Sequence, residues 1–174
     1  MEEKKKQYGT IYQSPVGKLT LISDGENLTK LEFEKEEKLE FSQKSLPILE
    51  ATKKWLDCYF SGEEPKEKLK IKLQGTEFQK SVWKQIAKIP YGMTTTYGEI
   101  AKEIAKQSKI EKMSAQAVGN AVGSNPIAII IPCHRVVGTK GNLTGFGGGL
   151  ETKIQLLEIE KMDMNQFFVP KRRK

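Results

Sequence analysis

Cys133 and His134 are neighbours in the chain, and His134 is the only imidazole among its 174 residues. Cysteine attacks as the thiolate. At its ordinary pKa near 8.5 only about 3% is ionised at neutral pH, so a nucleophilic cysteine needs a basic neighbour. An imidazole that takes the proton needs in turn a carboxylate to hold its tautomer and balance its cation. In the last helical pattern Ile154, Leu157 and Met162 mark an apolar side, Glu160 lies close to it and Glu151 falls on the first turn. Glu160 is therefore the choice for an inward-facing acid. The competing reading of Cys133 is core filler, a common state of a free cysteine after an apolar run. For Cys58, on an earlier helical pattern, that packing reading is the better one.

The elements around this pair must turn the chain. Asn125 and Pro126 form a turn ahead of Ile127 to Ile131, an apolar run with the composition of a strand buried on both faces. Pro132 has no N–H to donate, so it ends the ladder and leaves Cys133, His134 and Arg135 at the mouth of the sheet. Adjacent side chains of a regular strand point to opposite faces, so His134 serves Cys133 only if the backbone turns here or a water relays the proton. Six glycines follow, at 138, 141, 145, 147, 148 and 149. They match no phosphate-binding fingerprint, but they predict a tight turn at Gly141-Asn142 and a loop that a flat ligand can approach closely.

Upstream, Tyr8 to Phe33 alternates in the manner of short antiparallel strands, with turn residues at 24–27. From Leu46 the period becomes helical, through Leu49, Trp55, Leu56, Tyr59 and Phe60, until Ser61 and Gly62 stop it. A short alternating strand, Leu69-Ile71-Leu73, leads to Gly75, and the domain boundary is placed there: residues 1–75 and 76–174. Thr76 with Gln79 and Thr96 with Glu99 are capping boxes, the first opening a helix with Phe78, Val82, Trp83 and Ile86 inward, the second one with Ile100, Ala101, Ile104 and Ala105 inward. A polar link, Gln107 to Met113, precedes a helix capped by Ser114 and made mostly of small residues. Two helices joined by a link resemble a helix-turn-helix, although helix pairs are also ordinary packing units and this link exceeds three or four residues. Two glycines in a helix cost about 1 kcal/mol each relative to alanine, which predicts close approach by a backbone or ligand. With no Lys or Arg on that helix, affinity for a nucleic acid would come from Lys106, Lys109, Lys112 and Arg135.

Composition sets the outer limits. With 37% hydrophobic and 29% charged residues, 15 Gly and 7 Pro, the chain is neither disordered nor collagen-like. No apolar stretch approaches bilayer length and the N-terminus does not read as a signal peptide, so a soluble, cytoplasmic protein is expected. Two cysteines and one histidine cannot supply the four ligands of structural zinc, and neither metal nor cofactor is expected. A net charge of +7 points to a polyanionic partner. Residues 1–75 hold 14 basic and 14 acidic residues, residues 76–174 hold 15 and 8. Four of the basic ones form the tail Lys171-Arg172-Arg173-Lys174, which reads equally as a solvated end.

Pro132-Cys133-His134-Arg135-Val136, with Asn125-Pro126 before it and the glycine loop and Glu160 after it, closely resembles the O6-alkylguanine-DNA alkyltransferases. The similarity runs from about Gly75 to Met162, and Ser14-Pro15-Val16-Gly17 resembles the family's N-terminal domain. The resemblance implies an α/β two-domain fold. Its N-terminal part is an antiparallel sheet with a helix, a ribonuclease H-like roll; its C-terminal part is mostly helical, with a winged-helix-like helix-turn-helix and a short active-site strand. It implies a monomer that binds double-stranded DNA containing O6-alkylguanine through the minor groove, flips the base, and takes the alkyl group irreversibly on Cys133. His134 would act as base through a water and Glu160 would orient it; Tyr97 would help rotate the nucleotide and protonate the departing guanine; Asn125 would brace the turn. Contacts to DNA and the flipped base would come from Ala115, Gln116, Ala117 and Gly119, from the backbone around Cys133 and Val136, and from Arg135, Phe146, Gly147 and Gly148. Gln116 stands where the family usually has an arginine that enters the base stack, and Phe146 and Gly147 where many members have Tyr and Ser. Two alternatives remain: a lesion-binding protein without transfer, and a cysteine hydrolase using the same three side chains.

Overall fold

The alternation between Tyr8 and Phe33 forms three antiparallel strands, β1 (Tyr8–Ser14), β2 (Gly17–Ser23) and β3 (Leu28–Phe33). A two-residue β4 (Ser42–Gln43) adds to β1 in parallel, giving the order β3-β2-β1-β4. Leu19, Leu21, Leu28 and Leu31 are fully buried, as are Leu49, Leu56 and Tyr59 of α1 (Pro47–Phe60), which packs against the first three strands. The strand expected at 69–73 shrinks to one bridge, Ile71 to Leu28. Its lysines at 68, 70 and 72 stay exposed, and only the Leu28 backbone groups pair with it. The structure, a computed structural model, describes residues 6–34, 40–146 and 148–170. These fall into two units: the chain up to Gln74 with Pro126–Ala128, and Gly75–Asn125 with the residues from Ile129 onward.

The second unit opens with α2 (Glu77–Ala87), where Thr76 and Gln79 make both bonds of the capping box. At α3 (Tyr97–Gln107) only half of the expected box forms: Thr96 accepts the Glu99 N–H, while the Glu99 carboxylate lies 3.7 Å from Lys102. Its four buried residues are the four predicted from the period. Ser114 caps α4 (Ala115–Gly123) through the Ala117 N–H, and Trp83 Nε1 donates to the Ala121 carbonyl at 2.8 Å, locking α4 onto α2. A Cβ on Gly119 would meet the Tyr97 ring only at 3.9 Å, and one on Gly123 would meet nothing within 4 Å. Packing within the protein therefore does not require either glycine.

The apolar run is not a strand. Ile127 makes one bridge, to Leu31, and the chain then turns through 128–131 with Ile129 at φ 71°. Five apolar residues do not distinguish a buried strand from a buried turn, because both remove them from water. A left-handed conformation costs a β-branched residue about 1–3 kcal/mol and persists only where its surroundings enforce it. The short strand instead follows the Cys-His-Arg segment: in a second, two-stranded sheet, β6 (Val136–Val137) pairs in parallel with β5 (Thr95–Thr96). Gly141 makes the expected tight turn at φ 85°, where a Cβ would collide with the Gln166 carbonyl oxygen. The last helix is α5 (Leu150–Ile159), with Glu160 as its C-cap rather than within it.

Candidate active site

Pro132 leads into one turn of 3₁₀ helix, Cys133–Arg135. Successive residues on such a turn are about 120° apart, so Cys133 and His134 escape the opposite-face geometry of a strand. Both are buried, with Cys133 8% and His134 0% exposed. Glu160 arrives from the end of α5, and its Oε2 lies 2.5 Å from His134 Nε2. Its Oε1 accepts from Arg135 Nε at 2.8 Å and from the Gly92 N–H at 2.9 Å. Arg135 also donates to the Ile89 carbonyl and lies over the Tyr91 ring. Two oxygens thus serve two duties, one orienting the imidazole and one anchored by a permanent cation and a backbone donor.

The electrostatics follow from this burial. Burial raises the Glu160 pKa, but the His134 and Arg135 contacts and the Gly92 N–H outweigh it and hold the carboxyl below its usual range. Burial lowers the His134 pKa against the pull of Glu160, favouring the neutral ring. Burial pushes the Cys133 thiol up, opposed by a hydrogen bond from the Asn125 side chain and by the charge of Lys153. Asn125, which follows α4, also donates through Nδ2 to the Ile131 carbonyl at 2.8 Å. It therefore bridges the end of α4 and the turn that carries the thiol. Tyr97, at the start of α3, has its pKa raised by burial and by the nearby Cys133, against a hydrogen bond with the Thr144 side chain.

Comparison with known proteins matches residues 77–162 to the 6-O-methylguanine DNA methyltransferase DNA-binding domain and residues 7–74 to the ribonuclease-like domain of the same family. A methylated-DNA–protein-cysteine methyltransferase of Haemophilus influenzae is 45% identical over 160 residues, covering 89% of this chain and 87% of that protein. One of Methanosarcina acetivorans is 43% identical over 88% of this chain and 97% of its own. The chain belongs to the 6-O-methylguanine DNA methyltransferase family. Among solved structures, Mycobacterium tuberculosis OGT in complex with DNA superposes with a TM-score of 0.78 at 41% identity, covering 92% of this chain and 94% of that one.

Within this methyltransferase framework one expected DNA contact, Arg135, is directed inward. Arg135 is 8% exposed and committed to Glu160 and Ile89, so its guanidinium faces inward and not a phosphate. The Val136 N–H donates to the Cys133 carbonyl within the 3₁₀ turn. Ala115 and Gln116 are exposed at the start of α4, and Ala117 and Gly119 are half-buried. Phe146 and Gly148 are half-buried in the loop before α5, and Gly147 lies outside the described residues.

Sequence reasoning missed Lys153. Its side chain is fully buried, and its Nζ donates to the Val136 carbonyl at 2.7 Å and the Thr144 carbonyl at 3.1 Å. Burial lowers its pKa to about 8, against the pull of Cys133. The signal was present: Lys153 precedes Glu160 by seven residues, two helical turns, and so shares its face of α5 with Leu156 and Leu157.

Proposed function

We propose that this chain is a stoichiometric DNA-repair alkyltransferase that moves the alkyl group of O6-alkylguanine in duplex DNA onto its own Cys133. The observation that carries this reading is the His134–Glu160 contact behind a thiol on the same 3₁₀ turn. With Nε2 held by Glu160, the Cys133 proton passes to Nδ1, through a water. The thiolate attacks the O6-bound carbon in line; the S–C bond forms, the C–O6 bond breaks, and the electron pair passes into the purine. Tyr97, kept protonated by its raised pKa, supplies a proton so that guanine does not depart as an anion. Because the S–C bond of a neutral thioether is not broken by water under these conditions, the protein serves once.

The target must leave the stack to reach a buried sulfur, at a cost of a few kcal/mol. The exposed end of α4, with Ala115 and Gln116, is assigned to the minor groove, and its small residues keep the helix backbone close to DNA. The same reading gives the N-terminal unit a ribonuclease H-like roll and the helix pair a winged-helix-like arrangement, and it places a monomer in the cytoplasm. No helix among the described residues is long and apolar enough to cross a membrane.

Intact-protein mass spectrometry after mixing with a duplex containing O6-methylguanine separates the readings. One added methyl on Cys133 per protein supports transfer. No change with retained binding supports a lesion-binding protein, and consumption of many equivalents supports a hydrolase. Cys133→Ala is expected to bind the duplex and accept nothing.

A further inference from the structure

The link between α3 and α4 occupies residues 108–114, seven positions where a helix-turn-helix uses three or four. It borders a groove of about 770 Å³ whose apolar lining includes Ala101, Ala105, Ile110 and Met113. Lys106 and Lys112 line that groove and Lys109 lies on the same link; all three are exposed, and among the described residues no ion pair engages them. Lys109 adopts φ 55°, a left-handed bend that closes the last turn of α3, where the Ile110 N–H returns to the Ala105 carbonyl. Ile110 is 44% exposed at the groove. Glu111 also lines it, so the segment is not uniformly basic. Ser114 and Ala115, at the N-terminal end of α4, also line it.

We propose that this groove seats the sugar–phosphate backbone of one DNA strand beside the lesion, with Lys106, Lys109 and Lys112 on successive phosphates and Ile110 and Met113 against the deoxyribose faces. The inference rests on the reading of α4 as the helix that enters the minor groove. That helix carries no cation of its own, yet phosphate neutralisation supplies most of the affinity of a protein for duplex DNA. Lys106 at the end of α3 and Lys109 and Lys112 on the extended link are exposed cations outside any ion pair among the described residues, and a lining of apolar and basic side chains matches a chain of sugars flanked by phosphates. The extra length of the link thus replaces the charge missing from the recognition helix.

The test is the salt dependence of duplex binding, measured as log Kd against log[NaCl] for the wild type, for Lys106→Gln/Lys109→Gln/Lys112→Gln, and for Glu111→Lys. Each lost phosphate contact lowers the slope by about 0.9, so the triple variant is expected to lose about 2 to 3 from it, and Glu111→Lys to steepen it. A normal wild-type slope with unchanged variant slopes would overturn this inference alone and assign the groove to an occupant other than nucleic acid. A wild-type protein with no salt-dependent duplex binding would overturn the DNA reading as well.

Discussion

Lys153 Nζ donates to the Val136 carbonyl at 2.7 Å, and its charge is one of the influences that lower the Cys133 pKa against burial. A single ammonium therefore both fixes the backbone just after the 3₁₀ turn and favours the thiolate. Lys153→Met is expected to raise the Cys133 pKa and move the pH profile of single-turnover methyl transfer toward alkaline pH. Near neutrality the thiolate fraction, and the rate with it, falls about tenfold each time the thiol pKa rises by about 1. A purely structural role would lower the rate at every pH without moving the profile, so the profile decides between the two.

The same lysine makes a separate prediction about stability. Its pKa is about 8 in the folded protein against 10.5 for the ordinary amine. Between those values the unfolded chain holds the extra proton, so wild-type stability should rise as pH climbs from about 8 to about 10.5. The rise is bounded by about 3 kcal/mol, since a tenfold change in a protonation equilibrium is worth about 1.4 kcal/mol. Lys153→Met should lack it, which urea denaturation of both proteins at the two ends of this window would reveal.

Where local chemistry decides the structure, the sequence was readable. The Thr76-Gln79 box, the Ser114 cap, the inward face of α3 and the Gly141 turn depend on bonds within a few residues, and each forms. The His134–Glu160 contact was also legible, because a single imidazole needs a carboxylate and Glu160, more than Glu151, lies close to the apolar side of the last helical pattern. What failed depended on tertiary context. Ile127 to Ile131 carries burial but no period, so strand and turn look alike. Arg135 and Lys153 are cations whose inward direction is set by Glu160, Ile89, Val136 and Thr144, partners mostly far apart in sequence. Long basic side chains ordinarily read as solvent-facing, which hides Arg135 altogether and outweighs, for Lys153, the helical spacing that puts it on one face with Leu156 and Leu157.

Glu160→Gln should separate orientation from charge. The amide can occupy the same space but cannot balance an imidazolium, so transfer is expected to slow about 10²-fold or more, with duplex affinity retained. Stability supplies a second readout. The wild-type carboxyl is held below its usual value, so its contribution is present above pH 4.5 and is lost as pH falls from 4.5 toward about 2. Glu160→Gln should show no such loss from this site. Equal acid sensitivity of the two proteins would mean that the His134 and Arg135 contacts do not favour the ionised form.

Gly119 tests the close approach of α4. It lies mid-helix, with ordinary room for a Cβ beside the Tyr97 ring. Gly119→Ala is therefore expected to stabilise the protein by up to about 1 kcal/mol. If the helix backbone lies against DNA, the same methyl should weaken duplex binding. A more stable variant with unaltered affinity would remove Gly119 from the DNA-binding surface.

Gln116 sits exposed in the first turn of α4, where a side chain entering the duplex would fill the gap left by a flipped base. Glutamine can bond an orphaned partner base, but it is shorter than arginine, uncharged, and lacks the planar guanidinium that stacks on a base. The extruded state should therefore be held weakly, leaving the link lysines to carry more of the affinity. Gln116→Arg adds one cation and one stacking plane at a position where the native side chain is solvated, so folding should be unaffected. The expected result is tighter duplex binding, a salt slope steeper by about 0.9, and faster methyl transfer at subsaturating DNA. Fluorescence of a 2-aminopurine placed opposite the lesion would report the longer-lived extrahelical state directly. Unchanged affinity and rate would show that the gap is filled from elsewhere, and would withdraw Gln116 from the DNA contact.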